Sequence, residues 1–93
     1  EMREPRWERN LAYGLAALGR HADELETSKK GERWKVALAR YLRERLLVPN
    51  AWLAERLQMG TSNSVSSRVS RYRRESGSSD YEWNTLKVLE CVD

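Results

Sequence analysis

The sequence has few of the residues on which disulfides, metal sites and much of catalysis depend. Among 93 residues it has one cysteine, Cys91, and one histidine, His21. A single cysteine excludes an internal disulfide, which favours a reducing, cytoplasmic location. Because no Cys/His set lies at metal-ligand spacing and no glycine loop is typical of phosphate binding, we expect neither a metal nor a cofactor. His21 lies in a polar segment, and we interpret it as a surface residue.

Phenylalanine and long apolar runs are absent too. No segment approaches the roughly 20 apolar residues of a membrane-spanning helix, and none resembles a secretory signal. With 33% charged residues and a mean hydropathy of −0.81, the core should be modest. Four Trp and four Tyr supply much of its bulk. We predict one small domain over residues 1–93, with no membrane and no small-molecule partner.

Positive charge is concentrated in the middle of the chain. Residues 1–31 contain six basic and six acidic residues, whereas residues 32–75 contain ten basic and four acidic residues, a net charge of +6. Residues 76–93 carry a net charge of −3. A basic segment of this kind favours a polyanionic partner. The alternative is a solvated, arginine-rich surface without a partner.

Apolar residues recur at helical spacing, and no alternation is long enough for a sheet. Pro5 suits the first turn of a helix that Gly19 ends. After a polar loop over 20–31, with at most one short turn of helix, a second helix is predicted over about 32–46. Lys35 should lie largely away from the apolar face of that helix. Asn50 is predicted to cap the helix that follows Pro49.

The end of the chain predicts a linker and a short appendage. Residues 76–79 are rich in Ser and Gly, and Ser79 with Glu82 matches a capping box for a helical appendage over 79–92. Because this segment does not look like a hairpin, no wing is expected. The fold class is therefore all-α, a small bundle of four or five helices. Ten residues should form most of the core: Trp7, Leu11, Leu15, Leu38, Leu42, Leu53, Leu57, Val65, Val69 and Tyr72.

The segment 51–74 has the pattern of a helix-turn-helix. Gly60 is predicted to take a positive φ and to end the first helix. Thr61 or Ser62 can cap the second helix, which is predicted over about 62–74. Its apolar stripe is opposed by polar residues that we take as the DNA-binding set: Asn63, Ser64, Ser67, Arg68, Ser70, Arg71 and Arg74.

The chemistry of this polar face suits a DNA major groove. Small hydroxyls allow close approach, Asn pairs with adenine, and Arg pairs with guanine or phosphate. The alternative is a solvated face rich in Ser and Arg. Because Ser is a mediocre helix former, a face that is only solvated does not explain why Ser recurs so often on it.

Three blocks of this sequence match a known pattern: Lys30-Gly31, Lys35-Val36-Ala37-Leu38-Ala39-Arg40, and Trp52-Leu53-Ala54-Glu55-Arg56-Leu57-Gln58-Met59-Gly60. On these blocks, the stretch from about Lys29 to Arg74 resembles the C-terminal region of bacterial REP-associated tyrosine transposase-like proteins. The resemblance covers about half the chain. It implies a piece of a mobile-element protein, or of a domesticated relative, that helps to hold double-stranded DNA in the nucleoid.

The resemblance does not imply that this chain cuts DNA. The catalytic domain of the family uses a two-histidine metal motif and a tyrosine nucleophile, and one histidine cannot form that motif. The acidic cluster at Asp23, Glu24 and Glu26 is better explained as a solvated edge, and Trp34 and Trp52 as core residues. We expect no enzyme activity in this chain. The open hypotheses are a DNA-binding domain of a transposase-like protein, the same fold in a transcription regulator, and a helical protein–protein module with a basic face.

Overall fold

A computed structural model describes residues 3–75 and 80–91. This part of the chain forms six helices: α1 (Arg3–Ala17), α2 (Glu24–Thr27), α3 (Arg33–Leu46), α4 (Asn50–Arg56), α5 (Ser62–Glu75) and α6 (Tyr81–Leu86). The described ranges contain no strand, so the predicted all-α class is confirmed. The helix count exceeds the predicted four or five by one, because a segment of four residues within the predicted loop over 20–31 is helical.

α1 packs closely on α3 at Gly14. A side chain at this buried glycine would meet Leu38 Cδ1 at 2.5 Å. Glycine within a helix costs stability, and here it allows the two helices to approach. Gly19 has a φ of +71° and follows the end of α1, as predicted.

α3 is the central helix and packs against α1, α5 and α6. The prediction that Lys35 lies away from its apolar face is wrong, because the side chain is fully buried. The Lys35 ammonium donates a hydrogen bond to the Leu25 carbonyl oxygen at 2.8 Å. Burial lowers the pKa of Lys35, and the carbonyl partner offsets part of the cost of removing the ammonium from water. The residue thus joins α3 to the end of α2.

The predicted core is confirmed only in part, because the ten predicted residues are all buried but are ten of the 21 buried hydrophobic residues in the described part of the chain. Every one of the ten predicted residues is buried: Trp7, Leu11, Leu15, Leu38, Leu42, Leu53, Leu57, Val65, Val69 and Tyr72. Trp34 is buried in the same cluster, and Trp52 packs against it partly buried. The rings of Trp7 and Trp52 meet edge to face with centroids 5.4 Å apart, which joins α1 to α4 through an aromatic contact.

α4 and α5 pack against each other across a turn at 57–61. The turn contains two residues in left-handed conformations, Gln58 with φ +56° and Gly60 with φ +98°. The predicted positive φ of Gly60 is confirmed, but the prediction that Gly60 ends the first helix is wrong. The described helix before it ends at Arg56, because Gln58 already leaves the helical region.

The caps of these two helices differ from each other. Thr61 Oγ1 accepts a hydrogen bond from the Ser64 N–H at 3.1 Å, so Thr61 caps α5 and Ser62 is its first residue. The prediction for Asn50 is wrong. Asn50 is the first residue of α4, Pro49 occupies the cap position, and no side chain makes a capping hydrogen bond there.

α6 is shorter than the predicted appendage. Asp80 precedes it in the cap position without a side-chain capping bond. Ser79, predicted as the cap, lies outside the described residues, as does Val92 at the end of the predicted helix. α6 packs on α3 and α1. Over 3–75 and 80–91, no helix combines the length and the apolar character needed to cross a membrane.

Candidate nucleic-acid interface

α5 has one buried face and one solvent-facing face. Val65, Val69 and Tyr72 are buried against α3 and α4. Of the seven residues predicted to bind DNA, five are exposed and two are half-buried. The exposed residues are Asn63, Ser67, Ser70, Arg71 and Arg74, and the half-buried residues are Ser64 and Arg68. All seven therefore reach solvent from one helix, on sides away from the core.

The structure divides the predicted residues into two neighbouring groups. The first group lines one shallow depression beside the first three turns of α5: Asn63, Ser64, Ser67, Arg68 and Arg71. The second group lines another depression on α5, where the predicted residues Ser70 and Arg74 lie beside Arg40 and Arg73, which were not predicted. In both groups, small polar residues thus lie beside guanidinium groups.

Within the described residues, the arginines of the predicted set lack the carboxylate partners that several arginines elsewhere have. Four arginines on other helices or loops each pair with a carboxylate at 2.7–3.0 Å: Arg20, Arg33, Arg40 and Arg56. Within the described part of the chain, Arg68, Arg71 and Arg74 form no ion pair. These three positive charges are not offset by a carboxylate in contact, so they are available to an external anion.

The second group is partly neutralised. Glu44 of α3 accepts a hydrogen bond from Arg40 at 3.0 Å and lies 3.4 Å from the Arg73 guanidinium. Arg40 also stacks on the Trp83 ring, with 3.7 Å between its guanidinium carbon and the ring centroid. Arg40 and Arg73 therefore have structural partners on the protein, whereas Arg74 beside them has no such ion pair among the described residues.

The loop before α3 contributes to this surface, a contact that the sequence pattern does not predict. Gly31 lies directly against the Arg68 guanidinium, and a side chain at position 31 would collide with it. The Lys30 side chain lies beside Gly60 in the turn. The signal was present in the basic Lys29-Lys30 pair followed by glycine. It could not be interpreted because the loop is about 30 residues distant in sequence from the turn it meets.

The residues considered for catalysis have local structural roles. His21 is exposed, and its backbone N–H donates to the Glu24 carboxylate at 2.8 Å. This hydrogen bond, and a second from Arg20 at 2.9 Å, lower the pKa of Glu24. In the ranges that the structure describes, no three His, Cys, Asp or Glu side chains gather as metal ligands would.

The aromatic side chains near this surface do not form an exposed stacking platform in the described residues. Trp34 is buried, and Arg20 lies over its ring at 5.0 Å. Tyr72 is buried, with the Arg33 guanidinium 5.3 Å from its ring centroid. The exposed polar groups of α5 are therefore hydroxyl, amide and guanidinium groups, with one carboxylate, that of Glu75, at the C-terminal end of the helix. Comparison with known protein families, with curated proteins and with solved structures gives no match for this chain.

Proposed function

We propose that this domain binds double-stranded DNA by placing α5 in the major groove. One observation carries the proposal. The solvent-facing side of a 14-residue helix presents hydroxyls, one amide and arginines that form no ion pair within the described residues. At 1.5 Å per residue the helix is about 21 Å long. The major groove of B-DNA is wide enough to admit an α-helix.

The order of residues along α5 suits the division of labour in such complexes. Asn63, Ser64 and Ser67 lie in its first two turns, which is the part of a recognition helix that usually reaches base edges. Arg71 and Arg74 lie in its second half, where they would contact phosphates. α4 and α3 bury the opposite side of the helix and hold it against the domain.

The resemblance at Lys29–Arg74 favours a parent protein of the transposase-like class, in which this domain holds the DNA. A transcription regulator would use the same surface in the same way. The two are distinguished by the sequence that accompanies this domain in the whole protein, because a transposase requires a catalytic domain with the two-histidine motif.

A binding titration separates DNA recognition from a protein–protein role. Fluorescently labelled duplex DNA is titrated with the domain at several salt concentrations, with a labelled acidic peptide of equal charge in parallel. We expect duplex binding whose logarithm falls linearly with the logarithm of salt concentration, with a slope of about −0.9 per phosphate contact. Binding to the peptide but not to the duplex would favour the helical protein–protein module instead.

A further inference from the structure

We propose that Lys30, in the loop before α3, is a DNA-backbone contact outside the helix-turn-helix. This inference rests on the proposed function and extends its surface. The loop lies before the first helix of the three-helix unit formed by α3, α4 and α5. Its lysine would hold a phosphate near the turn while α5 occupies the groove.

The buried Lys35 side chain of α3 fixes the loop to the core. The buried Lys35 ammonium donates to the Leu25 carbonyl oxygen at 2.8 Å and lies 3.5 Å from the Ser28 carbonyl oxygen. These two acceptors bracket the last turn of α2 and the start of the loop. Because a buried ammonium is costly to leave without acceptors, the contact opposes displacement of the loop from α3.

The other end of the loop is fitted to α5. Gly31 abuts the Arg68 guanidinium, and both residues line one depression with Arg33 and Arg71. A side chain at position 31 would displace the Arg68 guanidinium. The absence of a side chain therefore allows the loop and the recognition helix to form one continuous surface.

Lys30 lies where this surface meets the turn. A Cβ atom at Gly60 would stand 3.7 Å from both Cδ and Nζ of Lys30, and 3.6 Å from Ser64 Oγ. Lys30 also lines a depression with Thr61 and Ser62 at the start of α5. Its side chain is therefore beside the first turn of the proposed recognition helix, although the two segments are distant in sequence.

The charge of Lys30 is available to a phosphate. Lys30 is exposed, and it forms no ion pair in the described parts of the chain. Lys30, Arg68 and Arg71 thus place three such charges along one flank of α5. In the second group, Glu44 partly neutralises Arg40 and Arg73.

One acidic residue shares the depression with Lys30. Glu55 of α4 is exposed and lines the same depression. A phosphate held by Lys30 would be repelled by this carboxylate. Neutralising Glu55 should therefore have the opposite effect to neutralising Lys30, which gives two independent variants with predictions of opposite sign.

The test compares Lys30→Gln, Glu55→Gln and the control Lys87→Gln with the wild-type domain in a salt-dependent duplex titration. Lys30→Gln should weaken binding about 3- to 10-fold near physiological salt and flatten the log-salt slope by about 0.9. Glu55→Gln should tighten binding about 2- to 3-fold. Lys87→Gln, which removes the same charge at the end of α6, should leave the slope unchanged. Thermal unfolding followed by circular dichroism checks that each variant is folded.

The outcomes distinguish this inference from the function on which it rests. A wild-type domain that does not bind duplex DNA overturns both. A wild-type domain that binds with the expected salt dependence, while Lys30→Gln retains its affinity and slope, overturns only the role of Lys30. Equal effects of Lys30→Gln and Lys87→Gln would also overturn it, because they would reflect net charge alone.

Discussion

Asp80, just before α6, accepts a hydrogen bond from the Arg33 guanidinium of α3 at 3.0 Å, across 47 positions of sequence. The Asp80 side chain is fully buried, whereas that of Arg33 is 54% exposed. Arg33 also lies over the ring of Tyr72 in α5. A single arginine therefore joins the C-terminal appendage to the central helix and to the proposed recognition helix.

This network predicts a pH dependence of stability. Burial favours a raised pKa for Asp80, but the Tyr72 hydroxyl and the Arg33 guanidinium outweigh it, so that the pKa lies below its ordinary value. A carboxyl whose pKa is lower in the folded state stabilises the fold above its unfolded pKa of about 3.9. That stabilisation is lost as pH falls through the folded pKa.

We expect Asp80→Asn to lower the free energy of unfolding at neutral pH by about 1–3 kcal/mol. Between about pH 5 and pH 2 the variant should lose less stability than the wild type, because it lacks the titrating group. Urea unfolding at a series of pH values measures both. Parallel stability curves for the two proteins across this range would contradict the role given to Asp80.

Lys35→Met tests the anchor of the loop before α3. The substitution keeps the volume of the side chain but leaves the Leu25 carbonyl oxygen without its donor. We expect a loss of about 1–3 kcal/mol of stability, the usual cost of a buried polar group without its partner. Amide hydrogen exchange should also accelerate in residues 25–31 more than in α1. A variant as stable as the wild type, with unchanged exchange in the loop, would show that Lys35 does not hold it.

Local pattern explains why the helices and the core could be predicted. The spacing of Val65, Val69 and Tyr72 is sufficient to place the buried face of α5, because a helix repeats every 3.6 residues. The opposite, solvent-facing side follows from the same period. Gly60 could be predicted as well, since a turn between two amphipathic helices favours a residue that tolerates positive φ.

Contacts between distant segments explain what the sequence did not predict. Lys35 is charged and lies within a helix, so its burial depends on a carbonyl of another element that the local sequence does not specify. The same is true of Lys30 beside Gly60 and of Asp80 with Arg33. Gln58 is a different case, because a non-glycine residue at positive φ carries no recognisable signal in the sequence.

Gly60→Val tests the geometry of the turn. A side chain at Gly60 would meet its neighbours only at ordinary contact distances of 3.6–3.7 Å, so the cost comes from the backbone. At φ +98° a β-branched residue is strained, and we expect a loss of about 1–3 kcal/mol. DNA affinity should fall too in the folded fraction, as α5 changes its angle.

The matched control for this substitution is Gln58→Gly at the other left-handed position. Removing the side chain at position 58, where φ is +56°, should leave the free energy of unfolding unchanged or raise it by up to about 1 kcal/mol. If thermal unfolding shows Gly60→Val to be as stable as the wild type, the backbone argument for this turn is wrong.

Asn63→Ala tests sequence discrimination. Asn63 is exposed in the first turn of α5, so the substitution should change stability by less than about 0.5 kcal/mol. If its amide pairs with a base, the difference in binding free energy between the best site and unrelated duplexes should shrink by roughly 1–3 kcal/mol. Competition binding on a selected site and on random duplex measures this difference. An equal loss on both would make Asn63 a backbone contact.

The central claim, that the solvent-facing side of α5 binds duplex DNA, is tested most directly by Arg71→Ala combined with Arg74→Ala. The control combines Arg9→Ala with Lys87→Ala, which removes the same charge from α1 and from the end of α6. The first pair should weaken binding to all duplexes about 10- to 100-fold and flatten the log-salt slope by roughly 1.8. The control pair should leave the slope near that of the wild type. Unchanged affinity and slope for the Arg71 and Arg74 variant, in a domain that still binds duplex DNA, would place the DNA surface elsewhere.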